Sequence, residues 1–356
     1  MTTNHKHYLD LAFQIAETNL GKTKLNPSVG AIVVKNNAVI SSGRTSLNGK
    51  PHAEYNALKK ENNFKNANLY TTLEPCTHYG LTPPCVNIII KKRIKNVYYS
   101  FEDPDTRTFK KAKNFLKKNN INFKLIKNIK FKNFYDSYFF NKKFNLPHVT
   151  AKIAISKDYY TINKISKWIT NDHSRKITHI LRSKNDCIIS TSKSINKDNS
   201  LLNCRINGLD KYKPDLFVID LNLKLKKNLS INNISKKRKK FLITTNQNKK
   251  KKINSLKKLG YKIITIESLN SKNDFNILFK LLYKLGYSRV FFETGLTFLN
   301  SLLNFKLLNN LYVFQSDSKL KDKGFNNSSS RLLKKIVLNK KIKINLNNDS
   351  LYKKIF

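Results

Sequence analysis

At 356 residues and 40% hydrophobic content the chain is long enough for two cores, and 10 glycines and 8 prolines are too few for a disordered polymer. Lys and Arg outnumber Asp and Glu by 69 to 22, a formal charge of +47. The excess is almost all Lys, spread through both halves in runs such as 235–240 (SKKRKK) and 248–252 (NKKKK), amid abundant Asn and Ile. That reads as compositional drift, not as a nucleic-acid footprint gathered on one face. Nucleic acid is therefore not an expected partner, whereas a positive field should attract phosphorylated small molecules. The start, MTTNHKHYLDLAF, has no apolar leader, and no apolar run approaches the ~20 residues of a membrane span. No membrane partner is expected, and the cytoplasm is the expected location. Cys76, Cys85, Cys187 and Cys204 form no disulfide framework, and Cys187, in an apolar run, is expected in the core.

Along the chain, Leu9, Ala12, Phe13, Ala16 and Leu20 form a helical stripe over 7–20, stopped by Gly21. Two apolar runs, 29–34 and 38–40, flank Asn36-Asn37 and predict a hairpin. A helix is predicted over 52–60, a strand over 67–73, a helix from Pro83-Pro84 to Lys92 and a strand over 96–101. Residues 109–118 read as a helix, 122–126 as a strand, and the aromatic, basic stretch 128–146 as helical. A second pattern begins near His148, with strands at 149–156, 186–190, 216–220, 241–244, 261–266 and 289–293 and a helix over 172–182. Strands alternating with helices indicate an α/β layered architecture. The division is expected at about residue 147, giving domains 1–146 and 147–356.

The first half holds His52-Ala53-Glu54, then Pro75-Cys76 and Cys85. Imidazole nitrogen and thiolate sulfur are zinc donors, and a catalytic zinc keeps three protein ligands and one open position. His52, Cys76 and Cys85 supply that set. Glu54, two residues past the histidine, can face the attacking water and shuttle protons. The arrangement matches the zinc-deaminase signature H-x-E…P-C-x-x-C except in spacing, since eight residues separate the cysteines. A closed structural zinc site, with His78 as fourth ligand, is the competing reading. It would need neither Glu54 nor the preceding loop Asn26-Pro27-Ser28-Val29-Gly30.

Taken together, NPSVGAIVVK (26–35), PHAE (51–54), TLEPCTHYGLTPPC (72–85) and EDP (102–104) resemble the bifunctional diaminohydroxyphosphoribosylaminopyrimidine deaminase/5-amino-6-(5-phosphoribosylamino)uracil reductase family of riboflavin synthesis. The second half is similar through AKIAISKD (151–158), SKWIT (166–170), the stretch 181–205 and FFETGLTFLNSLL (291–303). The resemblance implies a cytidine-deaminase-like three-layer domain followed by a dihydrofolate-reductase-like domain. It implies zinc-dependent hydrolytic deamination of a diaminopyrimidinone ribosylamino 5′-phosphate, then NADPH-dependent reduction of the ribosyl side chain to ribityl. By position, His52, Cys76 and Cys85 would hold Zn2+, Glu54 would be the catalytic proton shuttle, Asn26 and His78 would line the deaminase pocket, and Asp103 would sit in a matching loop. Ala154, Trp168, Ser194, Asp198, Gly295 and Thr297 would meet NADPH. Ser166, Arg182, Leu202, Arg205 and Glu293 would meet the substrate. A homo-oligomer is expected.

The chain departs from the family pattern in places. Leu81 replaces a basic residue of the cysteine insert, Lys110-Lys111-Ala112 a Gly-rich turn, Tyr159 a Gly, Asn199-Ser200 an Asp-Pro pair, and Leu296 a position that is often Pro. Taken alone, Trp168 reads as a core anchor and Arg205 as a surface charge. Two further readings stand beside the bifunctional one: a tRNA-editing zinc deaminase, and a deaminase whose second half is only a scaffold.

Overall fold

The structure is a computed structural model that describes residues 4–59, 63–80, 82–210, 213–233, 238–246, 250–336, 338 and 341–356. Lys60, Leu81 and parts of the two lysine runs (235–237 and 248–249) lie outside the described residues. The chain forms two compact units, Met1–Asn145 and Leu146–Phe356.

In the first unit, strands β1 (Gly30–Lys35), β2 (Ala38–Arg44), β3 (Asn68–Thr71), β4 (Asn96–Tyr99) and β5 (Asn122–Leu125) make one sheet in the order β2-β1-β3-β4-β5. β1 runs antiparallel to β2 and β3, and β3, β4 and β5 run parallel. Asn36 and Asn37 turn the hairpin at φ 51° and 62°, the left-handed pair that a two-residue hairpin requires. The helices are α1 (His5–Glu17), α2 (Ala53–Leu58), α3 (Cys85–Lys91), α4 (Ala112–Lys117) and α5 (Asp136–Phe144). Successive residues of β1 face opposite ways. Ile32 and Val34 pack with Leu9 and Ala12 of α1, while Ala31 and Val33 pack with Ala57 of α2, Val86 of α3 and Leu116 of α4. The sheet is thus covered on both faces, three layers in all.

Several helices are shorter than the sequence pattern suggests. Residues 18–20 wind as turns before Gly21 reverses the chain at φ 75°, and Lys110, left-handed at φ 56°, delays α4 to Ala112. The aromatic stretch after β5 is helical mainly over α5. Its rings serve packing, with Phe131 stacked on Phe13 at 4.3 Å and Phe134 edge-on at 5.2 Å.

The second unit contains β6 (His148–Ile155), β7 (Ile162–Asn163), α6 (Asp172–Ser183), β8 (Cys187–Thr191), α7 (Ser192–Asp198), β9 (Asp215–Ile219), β10 (Lys240–Thr245), α8 (Lys250–Lys258), β11 (Tyr261–Ile266), α9 (Lys272–Lys284), β12 (Arg289–Glu293), α10 (Leu296–Asn304), β13 (Asn310–Gln315), β14 (Gly324–Phe325), α11 (Arg331–Lys335) and β15 (Ser350–Ile355). Its large sheet runs β11-β10-β9-β8-β12-β6-β13-β15, parallel throughout except for the antiparallel β15. Phe217, Ile189 and Phe292 face Phe275, Leu278 and Leu299 of α9 and α10, while Leu216, Ile188 and Phe291 face Ile195 of α7 and Leu256 of α8. Cys187 is fully buried in the first of these cores, as its apolar run implies. Among the described residues no helix is long and apolar enough to cross a membrane.

Two glycines set how closely helices approach the first sheet. A Cβ on Gly30 would lie 1.9 Å from the carbonyl oxygen of Ala12 in α1, and one on Gly43 would lie 2.3 Å from that of Ala53 and 2.4 Å from the nitrogen of Ala57. α2, which follows His52 and carries Glu54, therefore sits directly on β2 only because residue 43 has no side chain. Gly43→Ala should push α2 off the sheet and cost about 1–3 kcal/mol, read as a lower melting temperature by circular dichroism. An unchanged melting temperature would show that α2 shifts without strain.

Candidate active sites

The first site forms where α2, α3 and the segment after β3 meet. His52 occupies the cap position before α2, Cys85 opens α3 behind Pro84, and Cys76 lies beyond the end of β3. Their donor atoms lie within 4.8 Å of one another. His52 Nδ1 is 3.5 Å from each sulfur, and the Cys85 N–H donates to Cys76 Sγ at 3.2 Å. One nitrogen and two sulfurs converging at this range form a zinc donor set. His78 is outside it: its Nδ1 is 3.0 Å from Thr108 Oγ1. Among the described residues the set has three members, of which His52 and Cys76 line a cleft together with Asn26, Glu54 and Asp103.

Glu54 is 3% exposed and accepts a hydrogen bond from the Cys85 thiol at 3.4 Å. Burial, then the nearby Cys76 charge, pushes its carboxyl up to about 7 against the pull of His52. Cys76 moves the other way, down to about 4, through the hydrogen bond from Cys85 and, against its burial, the contact with His52. The site therefore favours a thiolate on Cys76 and a proton-exchanging carboxyl on Glu54.

Glu74, buried at the base of the cleft, accepts backbone hydrogen bonds from Asp103 (3.3 Å), Lys110 (3.1 Å) and Ala112 (3.3 Å). It holds the loop on which Asp103 sits. Asp103 accepts from Tyr138 Oη at 2.9 Å, and Asp105 engages Arg107 through two nitrogens (2.9 and 2.6 Å) and Lys142 at 2.8 Å. Asn26 lies against Gly49, which approaches it closely at φ 94°.

In the second unit, Glu293 at the end of β12 binds Arg182 of α6 through both oxygens, at 2.5 and 2.9 Å. Burial alone would raise its carboxyl, but the Arg182 charge and hydrogen bonds, with Lys152, hold it below the usual range. Lys152 lies in register beside Glu293 across β6 and β12, and burial lowers its ammonium pKa. Arg182 Nη1 donates to the Asn203 carbonyl at 3.0 Å, and Arg205 donates to Asn203 Oδ1 at 2.8 Å. Arg182, Leu202, Arg205 and Glu293 thus gather about one loop, where Leu202 adopts φ 47°.

Gly295 caps α10, and a Cβ there would stand 3.9 Å from Ser194 Oγ, so these two residues line one spot. The first intrahelical bond of α10 is Leu299 N–H to Gly295 carbonyl, which leaves the preceding N–H groups, that of Thr297 included, outside the helical ladder. Such an end attracts phosphate. Asp198 ends α7, partly buried. Ala154 packs against Phe314 and Leu351. Ser166 and Trp168 share an exposed segment, bonded to each other at 3.2 Å, and among the described residues neither bonds to Arg182 or Glu293. Trp168 is no core anchor: it is 51% exposed beneath the Arg175 guanidinium, 4.6 Å from the ring.

Several of the departures take conformations that glycine adopts freely. Tyr159 (φ 68°), Lys110 (φ 56°) and Asn199 (φ 44°) all adopt left-handed conformations, and Leu296 is the first residue of α10, a position that also suits Pro. Arg238, in the run that reads as drift, is 3% exposed and donates to the carbonyls of Leu201 (2.7 Å), Leu202 (2.6 Å) and Pro214 (2.6 Å). Its basic neighbours in sequence conceal this role, as its partners are backbone atoms of a distant loop. Glu74 and Lys152 are likewise unpredicted, although an acidic residue before Pro-Cys and a lysine inside an apolar strand are visible signals.

Residues 2–101 match the family model described as the cytidine and deoxycytidylate deaminase zinc-binding region, and residues 147–316 match the RibD C-terminal domain. The riboflavin biosynthesis protein RibD of Aquifex aeolicus is 31% identical over 87% of this chain and 86% of its own. That of Buchnera aphidicola is 32% identical over 86% and 85%. The fold is shared with Acinetobacter baumannii RibD (TM-score 0.82, 23% identity, 99% and 98% coverage) and with a diaminohydroxyphosphoribosylaminopyrimidine deaminase/5-amino-6-(5-phosphoribosylamino)uracil reductase of Thermotoga maritima (TM-score 0.77, 23% identity, 98% and 97%). A zinc-deaminase half followed by a reductase half defines a two-function enzyme of hydrolase and oxidoreductase type. The chain belongs to the RibD family of riboflavin biosynthesis proteins, with zinc and NADPH as its cofactors. Neither a tRNA-editing deaminase nor a mere scaffold in the second half is favoured by these matches.

Replacing Arg238 with Met would leave three carbonyls without their donor. We expect a loss of about 1–3 kcal/mol in unfolding experiments and a raised reductase KM, because the loop of Leu202 and Arg205 loosens. Unchanged reductase kinetics would confine Arg238 to stability.

Proposed function

We propose that the first unit removes an exocyclic amine from a diaminopyrimidinone ribosylamino 5′-phosphate, and that the second reduces the product's ribosyl side chain to ribityl. One observation supports the first step above the others: a buried carboxyl, Glu54, 3.4 Å from the Cys85 sulfur, beside three convergent zinc donors at the wall of a cleft. In this reading His52, Cys76 and Cys85 hold zinc, which when bound makes water nucleophilic near neutral pH. Glu54 takes a proton from the attacking water and gives it to the ring nitrogen as the water oxygen bonds to the amine-bearing carbon; it then carries the second water proton to the amine, which leaves as ammonia as the C–N bond breaks and the carbonyl forms. Asn26, His78 and Asp103 orient the ring, and Glu74 keeps the Asp103 loop in place.

In the second unit, NADPH supplies a hydride when bound. Ala154, Trp168, Ser194, Asp198, Gly295 and Thr297 are proposed to hold it, with Gly295 and Thr297 at its phosphates. Ser166, Arg182, Leu202, Arg205 and Glu293 are proposed to hold the substrate, Arg182 being fixed by Glu293. Lys152, beside Glu293, is placed to give the proton that accompanies hydride addition to the opened sugar. Cytoplasmic residence and a homo-oligomeric state belong to the same proposal; light scattering on the purified chain tests the latter.

Incubating the enzyme with the pyrimidine phosphate, with and without NADPH, and weighing the products separates the two steps. A deaminated product alone is expected without NADPH, and a deaminated, reduced product with it. Deaminated product that is never reduced would remove the second half of the proposal. Glu54→Gln should keep its zinc yet slow deamination by about 10²–10⁴-fold, and near-normal turnover would remove Glu54 from the mechanism. Arg205→Ala should raise the reductase KM and spare deamination; equal loss of both activities would point to misfolding.

A further inference from the structure

We infer that Lys50, on the loop that leads to His52, holds the 5′-phosphate of the substrate seated in the deaminase cleft, a role that rests on the deaminase reading above. A phosphate dianion must find a cation whose charge is not already neutralised. The cleft wall offers Arg107 and Lys142, but both are engaged by Asp105, whose carboxyl they hold far below its usual range. The cysteine insert between Cys76 and Cys85 contains no lysine or arginine.

Lys50 is differently placed. It stands two residues before His52, so its backbone lies within roughly 7 Å of that of the donor residue. Its side chain crosses to the cysteine insert, where a Cβ built on Gly80 would meet Lys50 Nζ at 3.2 Å. Its neighbour Gly49 packs on the side chain of Asn26 in the cleft wall. The ammonium therefore stands between the loop that carries His52 and the insert that carries His78. Among the described residues Lys50 forms no ion pair. A ring seated against Glu54, with its sugar phosphate trailing outward, would bring the phosphate to this amine.

The test compares the full-length wild type, Lys50→Met and Lys50→Arg on the phosphorylated pyrimidine and on its dephosphorylated counterpart, with zinc content measured throughout. Lys50→Met is expected to raise the deaminase KM for the phosphorylated substrate about 10- to 100-fold. Its kcat, its zinc content and its KM for the dephosphorylated substrate should stay near wild type, and Lys50→Arg should restore most of the loss. An unchanged KM in Lys50→Met, or an equal rise for both substrates, overturns the assignment: the first denies the contact and the second makes it structural. A wild type that deaminates neither substrate sinks the deaminase reading itself, and this inference with it.

Discussion

Two sulfurs, an imidazole and a carboxyl are crowded together out of water in the first unit, and that crowding is the constraint on which the rest of this half depends. Burial and the neighbouring Cys76 raise the Glu54 carboxyl to about 7, while the hydrogen bond from Cys85 lowers Cys76 to about 4. His52, Cys76 and Cys85 would hold a zinc ion there, whose charge would offset that of the sulfurs beside Glu54. The fold's task is to keep these groups from separating. Gly43 lets α2 lie on the sheet, Pro84 starts α3 at Cys85, and Glu74 gathers the facing loop by its backbone.

The second unit meets the opposite problem, an excess of cations. Arg182, Arg205, Arg238 and Lys152 gather near the carboxylate of Glu293, and burial first, then the charge of Arg182, lowers Arg205, Arg238 and Lys152. Arg238 is stabilised by carbonyl dipoles and Arg182 by a two-oxygen ion pair, which leaves net positive charge around the loop of Leu202 and Asn203. A site of this sign suits an anionic, hydroxyl-rich ligand.

His52, Glu54 and Cys85 sit at the starts of α2 and α3, where local spacing dictates direction, so their convergence could be anticipated from the sequence; Cys76, in the irregular segment after β3, joins them through its Pro-Cys context. The β1–β2 hairpin was legible for the same reason, through Asn36-Asn37. What stayed hidden depends on distant backbone. Glu74 and Arg238 act on main-chain atoms that no side-chain motif announces. β13 and β15 escape pattern reading because Tyr312, Tyr352, Lys353 and Lys354, half-buried, blur the alternation of apolar residues. Helix ends were misjudged where a non-glycine residue such as Lys110 adopts a left-handed conformation that its chemistry does not advertise.

The strand order of the second unit also bears on how the chain is made. In the first unit β1 meets β2 at once and β3 soon after, so its sheet assembles from near neighbours. β6 pairs only with β12 and β13, whose residues follow more than a hundred positions later. On a ribosome moving at ~5–20 residues per second, that first strand waits on the order of ten seconds for either partner. During this interval Val149, Ala151, Ile153 and Ile155 have neither sheet edge nor core to cover them, while the deaminase half can already be folded. Nascent-chain quality control would therefore act on the reductase half, and a cell short of chaperones would lose reduction before it lost deamination.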